Sequence, residues 1–344
     1  MFMKDIKRVR DDLSPFTESV VKELERNMKL AAVHTYRCTL RSFARFSGGA
    51  DAPLPMAEVF TPQRLKAYEA WLLWQGRSPN TLSTYLRTLH AVYNRWMPPG
   101  TPGHNPKLFD GLHLRVVSRT KRALTPPQMG GLISAGLSQA LPQGHPQAPS
   151  RPTDKQQAAL SYFLLMFMLN GMPFIDLAHL RKSDYSAPDA TISYSRHKTG
   201  KPMLVDIPPE AMPLLLKCRD KTDSPYLFPL LDAHIRDAAQ LYRNYRRVLR
   251  HFNRTLAVLA RQLLPGVKLS SYTARHTWAT LAYHQGVSPG IISQALGHSS
   301  IQVTMTYLKP FKSKEIDKIN RQIIAEAKRS RPEGRRTVNA LNGM

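Results

Sequence analysis

Apolar and polar side chains alternate along the N-terminal third of the chain with the period of amphipathic helices. Within 31–46, aromatic and aliphatic residues recur on one face and arginines on another. The stretch 78–97 repeats this spacing, and Ser14 followed by Pro15 is typical of a helix start. The pattern predicts helices over residues 14–97. Their inward positions are Tyr36, Leu40, Phe43 and Phe46, then Leu82, Tyr85, Leu86, Leu89, Val92 and Tyr93, and the arginine face is Arg37, Arg41 and Arg45.

A break in this pattern follows at 97–106, where proline and glycine are dense, and a basic connector comes after it. The domain boundary is therefore predicted between about Pro98 and Arg122. A second Pro-rich stretch, 140–153, predicts a surface loop in the C-terminal domain. The predicted organisation is an N-terminal extension over 1–13, a helical domain over 14–105, a linker over 106–122, a second domain over 123–328 and a basic tail over 329–344.

The second domain is predicted to be mainly helical with one β-hairpin. The apolar run at 160–172 is too short to cross a bilayer, which takes about 20 apolar residues, so it predicts a buried helix. Alternation over 190–208 predicts the hairpin, with Gly200 in its turn. The alternating positions are Ile192 and Tyr194 on one arm and Leu204 or Val205 with Ile207 on the other.

Short helices with clear start and stop residues are predicted near the C-terminus. One ends at Gly286, the next is capped by Ser288 and ends at Gly297, and the third is capped by Ser299 or Ser300. The predicted fold class is thus mainly α with a small β-sheet, in two domains.

The charge of the chain indicates which kind of partner the protein binds. The 344 residues carry 49 Lys and Arg against 24 Asp and Glu, a formal charge of +25. Such a surplus predicts a polyanionic partner, because each neutralised phosphate releases condensed counterions. Cys38 and Cys218 are far apart without metal-type spacing, and no secretory signal begins the chain. We expect a cytoplasmic, nucleoid-associated protein that binds nucleic acid, with no metal, cofactor or membrane partner.

The chemistry of a nucleophilic tyrosine accounts for a cluster of polar residues near the C-terminus. A phenol is only about 0.1% ionised at pH 7, so Tyr307 would need roughly 4 kcal/mol of activation. Attack on a phosphodiester also needs cations for the non-bridging oxygens and a proton donor for the leaving oxygen. The sequence offers Arg275, His298 and the hairpin residues Lys198 or Lys201 for these tasks.

Five motifs together make the chain resemble the tyrosine recombinase (phage integrase) family over about residues 14–325. "YTARHTWAT" resembles the second conserved box of the family, and "LGHSSIQVTMTYL" resembles the third box with its nucleophile. "NGMPFIDLAHLRKSD" resembles the first box, "RHKTGK" the hairpin with the catalytic lysine, and "SPNTLSTYLRTLHAVYNRW" the N-terminal core-binding domain. The resemblance implies a SAM-like helical core-binding domain and a mixed α/β catalytic domain that together clamp DNA.

The resemblance also implies the role of each site residue. Tyr307 attacks the scissile phosphate, forms a 3′-phosphotyrosyl link and frees a 5′-hydroxyl, so that religation needs neither ATP nor metal. Arg275 holds non-bridging oxygens, and His298 donates to the phosphate or positions it. Lys198 protonates the leaving oxygen, with Lys201 in reserve.

The chain departs from the family in its first box. The arginine position is occupied by Pro173, and Asp176 stands where the family has an acidic residue that braces the site. Loss of one oriented donor costs about 10²–10³ in rate. Resemblance to a mobile-element branch without this arginine favours a substitute cation over an inactive enzyme. The candidates are Arg181, Lys182 and Arg196.

A second departure lies in the second box, where Tyr272 occupies the histidine position. Its hydroxyl can hydrogen-bond but is a poor proton shuttle at neutral pH. His276 follows Arg275 directly and is an alternative, although the residue after this arginine packs structurally in the family.

The family resemblance implies how the protein assembles on DNA. It leaves the biological role and two alternative functions open. The protein would be a monomer when free and a homo-tetramer on duplex DNA, exchanging strands through a Holliday junction, with accessory DNA-bending or directionality factors. Integration, excision and inversion of a mobile element all fit. A catalytically impaired DNA-binding factor and a type IB topoisomerase are the alternatives. A C-terminal helix over 313–328 would dock on a neighbour or on its own chain through Ile316, Ile319, Ile323 and Ile324.

Overall fold

Two units make up the chain in the computed structural model. The first contains Met1–Thr120 and Leu231–Arg247, and the second contains Lys121–Leu230 and Val248–Met344. The sequence predicted one uninterrupted second domain, whereas residues 231–247 group with the first unit. The structure describes residues 11–49, 52–115, 122–137, 152–306, 308 and 320–325.

The first unit is helical, as predicted. Its first helix begins one residue before Ser14, because the Asp12 carboxylate accepts from the Ser14 amide at 2.9 Å and from the Leu54 amide at 2.8 Å. The predicted start at Ser14 is therefore corrected. The helices are α1 (Leu13–Arg26), α2 (Leu30–Phe46), α3 (Met56–Val59), α4 (Pro62–Trp74) and α5 (Pro79–Trp96).

The predicted apolar faces of α2 and α5 form the core of the first unit. Phe43 is fully buried, and its ring lies 4.8 Å from that of Tyr68. Leu108 and Phe109 are 4% exposed and belong to the same core. These two residues fall in the predicted linker over 106–122, and that prediction is wrong at this point because the chain continues to bury apolar side chains after the Pro-Gly break.

The second unit is mainly helical with a small antiparallel sheet, which confirms the predicted fold class. The sheet order is β1-β2-β3. Helix α10 begins in the first unit and ends in the second. The elements are α6 (Pro126–Leu137), α7 (Asp154–Met168), α8 (Phe174–His179), a 3₁₀ turn (Lys182–Asp184), β1 (Tyr185–Ser186), β2 (Thr191–Ser195), β3 (Pro202–Asp206), α9 (Met212–Cys218), α10 (Ala238–Leu263), α11 (Ser271–His284), α12 (Pro289–Ala295) and α13 (Ile301–Met305).

The hairpin of β2 and β3 has the register that its apolar side chains require. Ile192 pairs with Val205, and both are buried. Leu204 is 68% exposed, so Val205 is the inward residue of the two that alternation allowed. Gly200 has φ +67° in the turn, as predicted.

The apolar run at 160–172 forms most of α7, and its central residues are buried. Among the described helices, none is long and apolar enough to cross a membrane. Residues 320–325 are helical, with Ile323 and Ile324 exposed. Ile316 and Ile319, and the predicted loop up to residue 151, lie outside the described residues.

Candidate active site

Arg275 brings three stretches of the second unit together. It lies in the first turns of α11, which begins with a reciprocal cap between Ser270 and Thr273. The side chain is buried, with the residue 3% exposed. Its Nη1 donates to the Gly171 carbonyl at 2.9 Å, and its Nη2 donates to the Leu296 carbonyl at 2.6 Å. Both acceptors are neutral carbonyl oxygens, so they orient the guanidinium without compensating its positive charge.

Gly171 fits this arrangement because it lacks a side chain. Its φ of +65° favours glycine. A Cβ here would lie 3.2 Å from the Arg275 Cα and 3.3 Å from the Leu296 Cδ2 and the Trp278 Cβ. The end of α7 can therefore approach α11 closely enough for the Gly171 carbonyl to reach the guanidinium.

His298 completes the contact around Arg275. Its Nε2 lies 2.9 Å from the Arg275 Nη2, and its Nδ1 lies 2.8 Å from the Thr304 Oγ1. Burial, reinforced by the charges of Arg275, Arg196 and Lys198, lowers the pKa of His298 to about 3. The imidazole is therefore neutral at pH 7.

Asp176 and Arg196 form a buried ion pair beside this cluster. The Asp176 Oδ2 lies 3.1 Å from the Arg196 Nη1, and the Asp176 Oδ1 accepts from the His197 amide at 3.0 Å. Burial raises the pKa of the Asp176 carboxyl, while Arg196 and the His197 amide act in the opposite direction. The Arg196 Nε is buried and has no hydrogen-bond partner among the described residues.

The turn before His298 packs against the hairpin. Gly297 has φ +64°, and a Cβ on it would lie 2.8 Å from the Met203 Sδ and 3.1 Å from the Arg196 Cδ. The Arg196 side chain therefore lies along this turn, between Asp176 and the residue that precedes His298.

The hairpin loop presents the two candidate lysines differently. Lys198 is exposed, and its charge is one of those that lower the pKa of His298. Lys201 is also exposed, and its backbone carbonyl accepts from the Arg196 amide at 2.8 Å. The charge of Lys198 thus acts on His298, which favours Lys198 over Lys201.

The other predicted site residues lie away from Arg275 and His298 or at the edge of this cluster. Lys182 contacts the Thr222 carbonyl and lies 3.6 Å from the Asp220 carboxylate. The Arg181 side chain is exposed, while its amide donates to Asp184. Neither cation joins Arg275 and His298 in these contacts. Tyr272 is 51% exposed, with its ring centroid 5.9 Å from that of His276.

Tyr307 lies outside the described residues. The structure describes the positions around it: α13 ends at Met305, and Leu308 is 5% exposed in an apolar cluster with Ile292 and Leu296. The chain on both sides of Tyr307 is thus held near the turn that leads to His298.

Sequence reasoning missed two side chains of this site. Thr304 bonds to His298, and its signal was a polar residue in the otherwise apolar end of α13. Burial raises the pKa of Tyr194 to about 12, with the Asp176 charge adding to the rise and Arg196 and Arg275 opposing it. Its hydrophobic alternation in β2 had marked it only as a packing residue.

Comparisons with known proteins identify the family of this chain. A model described as "Phage integrase family" matches residues 147–314, and one described as "Phage integrase SAM-like domain" matches residues 12–106. A curated tyrosine recombinase of Thermosipho africanus is 23% identical over 255 residues, which cover 72% of this chain and 78% of that protein. The chain belongs to the phage integrase family, and it is a tyrosine-type site-specific recombinase.

Solved structures share the fold. The Tn1549 transposon integrase in complex with transposon right end DNA is 16% identical, with a TM-score of 0.61 over 91% of this chain and 99% of that one. The lambda integrase tetramer bound to a Holliday junction is 18% identical, with a TM-score of 0.51 over 83% of this chain and 76% of that one.

Packing of the hairpin on the Gly297 turn predicts a difference between two glycine variants. Gly297 and Gly286 have φ of +64° and +85°, so alanine at either costs about 1–2 kcal/mol of unfolding free energy. A Cβ at Gly286 meets no described atom within 4 Å, whereas at Gly297 it crowds Met203 and Arg196. Urea denaturation should therefore show a larger loss for Gly297→Ala than for Gly286→Ala. Equal losses would contradict this packing.

Proposed function

We propose that this recombinase cleaves and rejoins duplex DNA through a 3′-phosphotyrosyl intermediate on Tyr307. The observation that carries the proposal is the buried guanidinium of Arg275, aimed by two neutral carbonyls and bonded to a neutral His298. Such a group can neutralise charge on the non-bridging oxygens without reorganising during the reaction.

The proposed reaction is an exchange of one phosphate ester for another. The Tyr307 Oη attacks the scissile phosphorus, the bond from phosphorus to the 5′-oxygen breaks, and Lys198 protonates that oxygen. The phenolic proton passes to water, because His298, with its pKa lowered to about 3 and its Nε2 bonded to Arg275, is too weak a base to hold it. Bond energy stays in the phosphotyrosyl link, and attack by a 5′-hydroxyl reverses the step. The chemistry therefore needs no cofactor.

Arg196 is the proposed substitute for the cation missing at Pro173. Asp176, its partner, lies in the first turn of α8, which Pro173 caps. The guanidinium therefore reaches this helix end from the hairpin. A buried donor without a partner is costly in a folded protein, and a non-bridging phosphate oxygen would satisfy the Arg196 Nε. Arg181 and Lys182 lack this position.

The proposed partner is duplex DNA, bound by both units in a homo-tetramer during strand exchange. The formal charge of +25 supports binding to phosphates. The structural neighbours add support, because the lambda integrase structure is a tetramer on a Holliday junction and the Tn1549 integrase structure contains transposon-end DNA. Integration, excision or inversion of a mobile element is the proposed biological setting.

A covalent adduct tests the proposed nucleophile. The probe is a suicide duplex, nicked near its cleavage point and drawn from sequence flanking the gene. The wild type should give a protein–DNA band that survives denaturing electrophoresis, and Tyr307→Phe should abolish it. Tyr283→Phe, in the same unit, is the matched control and should keep the band.

Two other results would reject this function. Tight binding without an adduct, on a duplex that contains the correct site, would favour the catalytically impaired DNA-binding factor. Relaxation of supercoils without strand exchange would favour the topoisomerase.

Substitution of Arg196 tests the proposed replacement of the missing arginine. Arg196→Ala combined with Asp176→Asn removes the cation without leaving a buried unpaired carboxylate. This variant should lose about 10²–10³ in adduct formation rate, whereas Lys182→Ala should lose little. The reference is Asp176→Asn alone.

A methylphosphonate at the scissile position separates catalysis from folding in this experiment. Because this substrate lacks one negatively charged oxygen, it should restore much of the rate to the variant without Arg196. If the rate stays equally low on both substrates, Arg196 has only a structural role.

A further inference from the structure

The hydroxyl of Thr304 makes a contact that differs from those of comparable buried threonines. Thr39, Thr88 and Thr277 donate to the carbonyl four residues earlier in their own helices. The hydrogen bond of Thr304 instead joins its Oγ1 to the Nδ1 of His298 at 2.8 Å. Thr304 is fully buried in α13, three residues before Tyr307.

The partners of His298 determine which nitrogen carries its proton. Arginine can only donate, so the Nε2 that faces the Arg275 Nη2 at 2.9 Å must accept. A neutral imidazole has one N–H group, which must then be on Nδ1. This N–H donates to the Thr304 Oγ1.

We propose that Thr304 is a positioning residue for recombination: it accepts the Nδ1–H of His298 and so keeps the Nε2 lone pair directed toward Arg275. This inference rests on the proposed function, in which His298 acts beside the scissile phosphate. Its role is to act through His298, since the buried Thr304 hydroxyl contacts the imidazole at Nδ1.

The position of Thr304 in the chain gives this contact a second consequence. α13 leads directly to Tyr307, so the segment that delivers the nucleophile also orients the histidine. If this segment is displaced, His298 loses one of the two partners that fix its tautomer. The histidine is therefore correctly oriented only when the segment before Tyr307 is docked.

Two substitutions at Thr304 separate hydrogen bonding from packing. Thr304→Val keeps the shape and removes the acceptor, and Thr304→Ser keeps the hydroxyl. Partners that orient a metal-bound histidine are worth about 10–100-fold, and we expect the valine variant to lose a similar factor in adduct formation rate on the suicide duplex. The serine variant should recover most of the rate, and DNA affinity should stay unchanged in both. Thr39→Val, at a buried threonine of the first unit, is the matched control.

Nitrogen-15 NMR of histidine-labelled protein without DNA provides the second readout. His298→Gln identifies the His298 signals. The wild type and Thr304→Ser should show protonated Nδ1 and unprotonated Nε2. Thr304→Val should show a mixture of the two tautomers, because the ring without this acceptor can turn away from Arg275.

The proposal is overturned if His298 keeps its tautomer in Thr304→Val, or if serine fails to restore the rate. The NMR measurement does not depend on DNA cleavage. If the wild type forms no adduct but the tautomer still responds to Thr304, the proposed function fails while the positioning of the imidazole stands.

Discussion

The buried guanidinium of Arg275 is the contact on which the candidate site depends. It joins the end of α7, through the Gly171 carbonyl, to the end of α12, through the Leu296 carbonyl. These ends lead to α8, which carries Asp176, and to His298. The lack of a side chain at Gly171 permits this approach, because a Cβ would lie 3.2 Å from the Arg275 Cα. One buried cation thus fixes residues that are more than 100 positions apart.

The proposed replacement for the missing first-box arginine comes from the hairpin. Arg196 lies at the end of β2, and the Asp176 carboxylate holds its guanidinium in the interior. Removing one partner of such a buried pair costs about 3–5 kcal/mol of unfolding free energy. The ion pair therefore holds both the hairpin and the Arg196 guanidinium in place. Lys198 follows two residues later in the exposed loop. In the proposed function, a cation just after a strand takes the place of a cation at a helix start, and the first turn of α8 still receives a positive charge.

The hydrophobic periodicity and the residues that start and stop helices predicted much of the fold, because both signals depend on neighbouring residues. Ser288, Pro289 and Gly297 gave the bounds of α12, and Gly200 gave the hairpin turn. The burial of Leu108 and Phe109 was missed because it depends on contacts with distant segments. The cap at Asp12 was missed although one of its two hydrogen bonds, to the Ser14 amide, is local.

The residues of the site also fall into two groups, those that the sequence predicted and those that only the fold identified. The motifs predicted Arg275, His298 and Lys198, yet they left Arg181, Lys182 and Arg196 equivalent. Only the fold separates these three, by placing Arg196 beside Gly297 and Lys182 beside Asp220. The role of Thr304 was missed although it lies only six residues after His298, because the contact depends on how α13 packs against the imidazole.

The most direct measurement is a crystal structure of the Tyr307→Phe variant bound to an uncleaved duplex that contains its recombination site. We expect the scissile phosphate to lie against Arg275, with the Arg196 Nε at about 3 Å from a non-bridging oxygen and Asp176 still bonded to the same guanidinium. A phosphate held by a different cation, with Arg196 bonded to Asp176 alone, would contradict this account.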